Sequence, residues 1–193
     1  MDYQEFFRER YEREEDPWHF GTCPFEKIRH AAMIEFALTM RPRAALDLGA
    51  GEGHFLERLL IRAPGLRATG VELDARAQAR CRTRLERYGA DVIQADLLGY
   101  LASPAGDPFD VAICGDVLYY LTPEIVTEQV QPGLVRRLRP GGGLVVSYAD
   151  VNDHQWTVDV FLGRFRLARQ VYIKPVQDPP PWPWMVSLLV LEG

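Results

Sequence analysis

The sequence predicts an α/β protein with a mostly parallel sheet covered by helices on both faces. Three observations support this fold class. Short apolar runs alternate with helical patterns through the middle of the chain, and a glycine-rich turn, GAGEG at 49–53, follows the first of these runs. Two strand-like runs close the chain, and the proline-rich linker between them, QDPPPWPW at 177–184, is too short for a crossover helix. The tail should therefore form an antiparallel pair at one edge of the sheet.

Two helices are predicted before the sheet begins. The first has aromatic residues at helical spacing, namely Tyr3, Phe6, Phe7 and Tyr11. The second presents an apolar face and ends near Pro42; this face comprises Ile28, Ala31, Ala32 and Phe36. We expect a single domain over residues 1–193, in which a helical lid at 1–40 covers a core at 41–193.

The core is predicted to contain five strands before the antiparallel tail. Apolar runs place these strands at 44–48, 67–72, 91–94, 109–114 and 143–148. Helical patterns lie between them, near 54–62, 75–88 and 123–138. This alternation wraps helices around both faces of the sheet.

The charge and the cysteine content of the chain indicate which kinds of molecule it binds. The net charge of the 193 residues is −5 and the arginines are interspersed with acids, which disfavours a nucleic-acid surface. The cysteines are odd in number and far apart, at Cys23, Cys81 and Cys114, so neither a disulfide framework nor a metal site is expected. We predict a cytoplasmic protein with a small-molecule substrate and without a signal peptide or membrane span, because no apolar run reaches 18 residues. The oligomeric state is not indicated.

The glycine-rich turn is typical of a nucleotide-type loop, but its spacing departs from that of dinucleotide-binding proteins. Gly49, Gly51 and Gly53 give G-x-G-x-G, and His54 stands where the dinucleotide fingerprint has its third glycine. The alternative interpretation is a turn that only joins a strand to a helix.

The charge of the loop indicates the ligand more specifically than its spacing does. Asp47 and Glu52 would place two carboxylates beside a diphosphate, which is electrostatically unfavourable. A ligand with a sulfonium and an ammonium group, such as S-adenosylmethionine, would be stabilised there.

Two further acids end neighbouring strands. Glu72 lies where such folds place an acid for the ribose hydroxyls, although a solvated carboxylate is the alternative interpretation. Asp96 would accept from the adenine amino group, with Leu73 and Leu97 as walls for the ring, or would only cap a helix.

These motifs together resemble the class I S-adenosylmethionine-dependent methyltransferases. LDLGAGEGHF, GVELD, VIQADLL, FDVAICGDVLYYL and LRPGGGLVV are similar to the successive motifs of that family, over residues 44–148. The resemblance implies a Rossmann-like sheet of order 3-2-1-4-5-7-6 with an antiparallel last strand. It assigns the methionine part to Asp47, Gly49, Ala50, Gly51 and Gly53, the ribose to Glu72, the adenine to Asp96 with Leu73 and Leu97, and the sulfonium to Cys114, Gly115 and Asp116.

A narrower resemblance comes from EEDPWHFGTCPFEKIRH, which is similar to the N-terminal segment of the nodulation protein S group. That group N-methylates an amino sugar of chitooligosaccharides. The resemblance implies that Arg29 approaches the cofactor carboxylate and that Trp18 and Phe20 form part of a lid.

Residues after the fourth and fifth strands are candidates for the chemistry. We predict His154 as the base, Tyr119 as a contact of the methyl group or acceptor, and Asp116 as a carboxylate that orients an amine. Tyr120, Asp150 and Asp153 are neighbouring candidates, and the aromatic residues of DPPPWPW would wall the acceptor pocket. The alternatives are a helix-start histidine at 154 and core packing for one tyrosine; His19 is expected in the lid, His30 on a helix surface, and Cys114 as a buried apolar residue.

Three functions remain open from the sequence. The first is a small-molecule N-methyltransferase acting on an amine such as an amino sugar. The second is an O-methyltransferase, which depends more strongly on a base. The third is a nucleotide-binding module without methyl transfer, or a dehydrogenase with an unusual loop.

Overall fold

A computed structural model describes residues 3–150, 154–174 and 183–193 of the chain. Its centre is a seven-stranded sheet of order β3-β2-β1-β4-β5-β7-β6, as expected from the sequence. The strands are β1 (Ala44–Leu48), β2 (Arg67–Glu72), β3 (Asp91–Gln94), β4 (Phe109–Gly115), β5 (Leu138–Ala149), β6 (Phe165–Ile173) and β7 (Trp184–Leu191).

The strand directions confirm the predicted tail. Strands β1 to β5 pair in parallel, whereas β7 runs antiparallel to both β5 and β6. Strand β5 begins five residues before the expected 143–148, because Phe109 of β4 pairs with Leu138 ahead of a register shift. The linker at 175–182 lies outside the described residues.

Helices flank the sheet as the alternation predicts. They are α1 (Tyr3–Arg13), α2 (Pro24–Thr39), α3 (His54–Arg62), α4 (Ala75–Leu85), α5 (Leu97–Ala102), α6 (Pro123–Ile125), α7 (Gln131–Arg137) and α8 (Trp156–Asp159). The expected helix at 123–138 contains a π-helical turn, Val126–Val130, just before Pro132. Proline has no N–H for the ordinary helical bond, and this accounts for the changed pattern. Helices α5 and α8 are too short for a periodic signal.

The buried face of α2 differs from the expected one. Ile28 is 51% exposed, and the face turned toward the sheet comprises Glu26, Arg29, His30, Met33, Ile34 and Ala37. Ala32 and Phe36 of the expected face are only partly buried against the core, and the expectation missed that Glu26, Arg29 and His30 are buried beside the apolar residues of α2. Charged residues enter the interior here because they are paired with one another.

All five residues of β1 are buried, between apolar clusters on the two faces of the sheet. This central position fixes the loop that follows β1 at the carboxyl edge of the sheet, where ligands of such folds bind. In the part of the chain that the structure describes, no helix is both long and apolar enough to span a membrane.

Candidate cofactor and acceptor site

A cavity of about 810 Å³ opens at the carboxyl edge of the sheet. It lies under the N-terminal helix and contains most of the residues that the sequence nominated for binding or catalysis. These are Trp18, Gly49, Gly51, Glu72, Leu73, Asp96, Leu97, Gly115, Asp116, Tyr119 and His154. The nominated residues therefore meet at one site.

The glycine-rich loop needs glycine for its backbone conformation. Gly49 and Gly51 have φ values of 79° and 54°, in the left-handed region that other residues rarely adopt. A Cβ at Gly49 would also lie 3.0 Å from Cγ2 of Val117. The loop thus exposes backbone to the cavity without a side chain in the way.

Glu72 holds this loop in place from the end of β2. Its Oε2 accepts a hydrogen bond of 2.8 Å from the Gly51 N–H, and its Oε1 accepts one of 2.9 Å from the Asp74 N–H. The side chain is buried, and burial raises its pKa. Glu72 therefore both lines the cavity and braces the glycine turn.

Asp96 caps a helix at the wall of the cavity. It lines the cavity, and its Oδ1 accepts a 2.7 Å hydrogen bond from the Gly99 N–H at the start of α5. The helix cap fixes the carboxylate at the mouth of β3.

Five nominated residues lie behind the cavity instead of lining it: Arg29, Asp47, Ala50, Gly53 and Cys114. Gly53 faces α4, where a Cβ would lie 2.9 Å from Sγ of Cys81, so it provides close packing. Cys114 is fully buried in the core, and burial raises the pKa of its thiol. Asp47 is 3% exposed, and burial raises its pKa to about 7.

Glu52 does not face the ligand side of the loop as the charge argument assumed. Its Oε1 lies 2.8 Å from Nη1 of Arg80, which neutralises it. Glu52, Asp16 and His54 offer ligand atoms within 4.8 Å of one another. Arg84 lies 3.2 Å from Nε2 of His54, and these two arginines make the group a poor place for a divalent cation.

Asp116 occupies an unusual position just after β4. Its φ is 52°, a conformation that costs a residue other than glycine roughly 1–3 kcal/mol and is often found at functional sites. Its Oδ2 is 2.8 Å from Nη1 of Arg29, while Oδ1 is buried and has no hydrogen-bond partner among the described residues. Oδ1 is therefore a buried hydrogen-bond acceptor without a donor among the described residues.

Arg29 joins this carboxylate to helix α2. Its Nη2 is 2.6 Å from Oε2 of Glu26, and its Nη1 donates to Oγ of Ser147 over 2.7 Å. Arg29 is 2% exposed and reaches the cavity only through its two carboxylate partners, Glu26 and Asp116.

His154 is held in one orientation at the far side of the cavity. Its ring stacks on Tyr119, with centroids 4.6 Å apart and planes inclined by 10°. Its Nδ1 lies 3.1 Å from the Ala149 carbonyl oxygen, which only accepts, so Nδ1 carries the proton of the neutral ring. The lone pair then resides on Nε2. Burial raises the pKa of Tyr119, whose phenol stays protonated.

The N-terminal segment covers the cavity with aromatic rings. Tyr120 contacts Phe7 and Tyr3 edge-on, with centroid distances of 5.0 and 5.2 Å. Nε1 of Trp18 donates to the Tyr11 hydroxyl over 3.3 Å. These contacts join α1 to the residues that follow β4.

Sequence reasoning missed the roles of two lining residues, Tyr11 and Glu26. Tyr11 is 4% exposed and its hydroxyl faces the space beside Gly51, but its spacing indicated only an apolar helix face. Glu26 belongs to a charged helical stretch that is ordinarily exposed to solvent. The three-residue spacing from Glu26 to Arg29 was the one available signal.

Several other expectations have mixed outcomes. His19 lines the cavity, as does Trp184 from the aromatic linker. His30 is not a surface residue: it is 3% exposed and contacts Arg58 and Arg29, whose charges, together with burial, lower its pKa. Asp153 lies outside the described residues.

Comparison with known protein families shows which family the chain belongs to. The model of the family "Nodulation protein S (NodS)" matches residues 3–157. The chain belongs to the nodulation protein S family. This confirms the narrower resemblance seen in the sequence, and the match includes helices α1 and α2, the glycine loop and His154.

Individual members of the nodulation protein S family show the extent of the similarity. The chain is 32% identical over 145 residues to nodulation protein S of Rhizobium tropici, covering 74% of this chain and 59% of that protein. It is 34% identical over 146 residues to the Sinorhizobium fredii protein, covering 74% and 65%. The chain therefore spans about three fifths of the length of these curated relatives.

A solved structure of the same family has the same fold. The N-methyltransferase NodS from Bradyrhizobium japonicum WM9, in complex with S-adenosyl-L-homocysteine, superposes with a TM-score of 0.82. The match covers 100% of both chains at 23% identity. The Rossmann-like methyltransferase architecture is thus established for this chain.

Proposed function

We propose that the protein is an S-adenosylmethionine-dependent methyltransferase that methylates an amine of a small molecule, such as an amino sugar. The observation that carries the proposal is the charge of the cavity. Among the described residues that line it there are four carboxylates, Glu26, Glu72, Asp96 and Asp116, and no lysine or arginine. Such a cavity favours cationic ligands over polyphosphates.

The residues present fit the cofactor. Gly49 and Gly51 offer close backbone approach for the methionine part, Glu72 has lone pairs left for the ribose hydroxyls, and Asp96 with Leu97 suits the adenine ring. The cavity of about 810 Å³ leaves room for an acceptor beside it.

Two carboxylates without full partners add to this fit. Asp47 lies behind the loop, unpaired among the described residues, and would favour the ammonium of the methionine part by charge. The free Oδ1 of Asp116 lies at the stretch that the resemblance places beneath the sulfonium. Both positions stabilise positive charge.

When bound, the cofactor supplies a methyl carbon activated by a positively charged sulfur. The protein's task is to hold the acceptor lone pair about 3 Å from that carbon and in line with the bond that breaks. Asp116 orients the N–H groups of the amine through its carboxylate. His154 removes a proton through Nε2, because Nδ1 is committed to the Ala149 carbonyl. Tyr119 fixes the imidazole by stacking.

The N-terminal residues 1–40 act as a lid over the core of the same domain. Tyr11 and Trp18 reach the glycine loop, and the rings on α1 close over Tyr120. A closed lid excludes water from the reacting groups.

Membership of the nodulation protein S family supports N-methylation, since one member is named an N-methyltransferase. One observation favours an alternative: an oriented histidine with a free Nε2 is what an O-methyltransferase needs to activate a hydroxyl. A nucleotide-binding module without methyl transfer has no use for this histidine.

The test is direct transfer. Purified protein is incubated with methyl-labelled S-adenosylmethionine and a panel of amino sugars, simple amines and phenols, and the label is located by mass spectrometry. We expect label on an amine nitrogen. Label confined to hydroxyl oxygens would support the alternative, and no transfer to any acceptor would refute the proposal.

A further inference from the structure

Two carboxylates share one guanidinium at the acceptor end of the cavity. Oε2 of Glu26 lies 2.8 Å from Nε and 2.6 Å from Nη2 of Arg29. Oδ2 of Asp116 lies 2.8 Å from Nη1 of the same guanidinium. The side chain of Glu26 is 11% exposed, that of Arg29 is 2% exposed and that of Asp116 is 15% exposed. The group is a buried cluster with two negative charges and one positive charge.

The second oxygen of each carboxylate is not used by Arg29. Oδ1 of Asp116 is buried without a partner among the described residues, and the Arg29 contacts of Glu26 all use Oε2. Both acids line the cavity, while Arg29 does not. The two acids therefore bring the net charge of −1 of the cluster to the wall of the cavity.

A desolvated excess of negative charge needs a cation to balance it. Burial raises the pKa of Glu26, and Asp116 raises it further, while Arg29 opposes both effects. Arg29 is already packed under the ring of Phe20, with its guanidinium carbon 5.5 Å from the centroid, and cannot leave to balance a different anion. The missing partner has to be a ligand.

The location identifies the ligand as the methyl acceptor. Asp116 follows β4 and is three residues before Tyr119, on which His154 stacks, so the cluster adjoins the proposed base. The methyltransferase resemblance assigns the methionine part to the glycine loop and the ribose to Glu72. Aromatic rings of the lid surround the same end and add cation–π stabilisation.

We infer that Glu26 and Asp116, held together by Arg29, bind the acceptor as an ammonium ion and thereby select amines over neutral hydroxyl compounds and anionic metabolites. This inference rests on the proposed function and adds its specificity site. Glu26 and Asp116 are binding residues, and Arg29 is a positioning residue that keeps the two carboxylates together. The bound ammonium gives its proton to Nε2 of His154, and the freed nitrogen lone pair forms the new bond to the methyl carbon as the electrons of the sulfur–carbon bond return to sulfur.

Sinefungin, a cofactor analogue in which a protonated amine replaces the methylsulfonium, tests the charge without any acceptor. Its ammonium sits where the methyl group would face the acceptor. We expect the protein to bind sinefungin more tightly than S-adenosylhomocysteine in calorimetry. Glu26→Gln should reduce that preference about tenfold, since hydrogen bonds to charged groups are the strong ones.

Two more variants complete the design. Asp116→Asn removes the other negative charge from a different element and decides the matter if Glu26→Gln does not fold. Glu35→Gln is the matched control: it makes the same substitution on the same helix, at a side chain that is 60% exposed and pairs with Arg62. The control should keep the full preference for sinefungin.

Kinetics separate acceptor binding from a general effect on the cofactor. With the amine that carries the label in the panel experiment, Glu26→Gln should raise the KM for that amine about tenfold and change kcat less than threefold. The KM for S-adenosylmethionine should change less than that for the amine.

The outcomes are distinguishable. If the unaltered protein fails to bind S-adenosylhomocysteine, the proposed function fails. If it binds and transfers methyl groups, but both variants keep the sinefungin preference and the acceptor KM of the control, the inference alone is overturned.

Discussion

Replacing Asp47 by asparagine should make the free protein more stable at pH 8 while weakening cofactor binding. Asp47 is the penultimate residue of β1, shortly before the glycine loop, and is 3% exposed. Its side chain makes no hydrogen bond or ion pair with the other residues that the structure describes. Burial, and then the nearby Glu72, raise its pKa from 3.8 to about 7.

The sign of the pH effect follows from these two pKa values. The unfolded chain releases this proton near pH 3.8, whereas the folded protein holds it to about pH 7. The folded state thus binds more protons between these values, and stability falls as pH rises through that window. A shift of this size corresponds to about 4 kcal/mol of lost stability at pH 8.

Asparagine removes the charge but remains a buried polar group, which costs about 1–3 kcal/mol of its own. The expected net gain in the free energy of unfolding at pH 8 is therefore about 1–3 kcal/mol. For a chain of this length that gain corresponds to roughly 3–10 °C in Tm. As the pH approaches 4 the charge effect disappears and only the cost of the buried amide remains, so the variant should become less stable than the unaltered protein by up to about 1–3 kcal/mol.

Thermal and urea unfolding of Asp47→Asn and of the unaltered protein, measured from pH 4 to pH 8, give this difference directly. Calorimetry at pH 8 should show S-adenosylhomocysteine binding weakened about tenfold, because the ammonium of its amino-acid part loses a charged neighbour. An asparagine variant with lower stability at pH 8, or a difference independent of pH, would refute the reasoning.

Three other variants test separate parts of the site. Glu72→Gln should weaken S-adenosylhomocysteine binding by about 1–3 kcal/mol in calorimetry, since it disturbs both the ribose contact and the Gly51 N–H bond; unchanged affinity would place the ribose elsewhere. His154→Ala should lower kcat on an amine by about a hundredfold at pH 7 and by less at pH 9, where more of the free amine is present; a loss that is the same at both pH values would exclude the base role. Deleting residues 1–20 should reduce turnover and cofactor affinity more than the unfolding midpoint, as Tyr11 and Trp18 cover the loop without belonging to the sheet; an insoluble truncation would assign these residues to the core.

The sheet was predictable because its strands are short, apolar and separated by turns. The runs at 44–48 and 67–72 became β1 and β2 with the same bounds. The antiparallel edge followed from the length of one linker. The carboxyl ends of these strands meet at one edge, so the positions of Gly49 and Glu72 in the cavity also followed from the sequence.

The electrostatic details depended on pairings distant in sequence. Glu52 adjoins the glycine loop but is neutralised by Arg80, 28 residues later. Glu26 had no assigned role and Arg29 was expected beside the cofactor carboxylate; only the fold brings Asp116 to the same guanidinium. His30 is likewise buried, and its side chain contacts Arg29. Spacing along one helix carries no information about a partner on another element.

The central claim is that an acidic edge of the sheet selects a positively charged methyl donor over a polyphosphate. Calorimetric titration of the protein with S-adenosylmethionine and, separately, with NADH measures that selection directly. We expect saturable binding of S-adenosylmethionine and no measurable heat with NADH. Tighter binding of NADH, displaced by pyrophosphate, would contradict it.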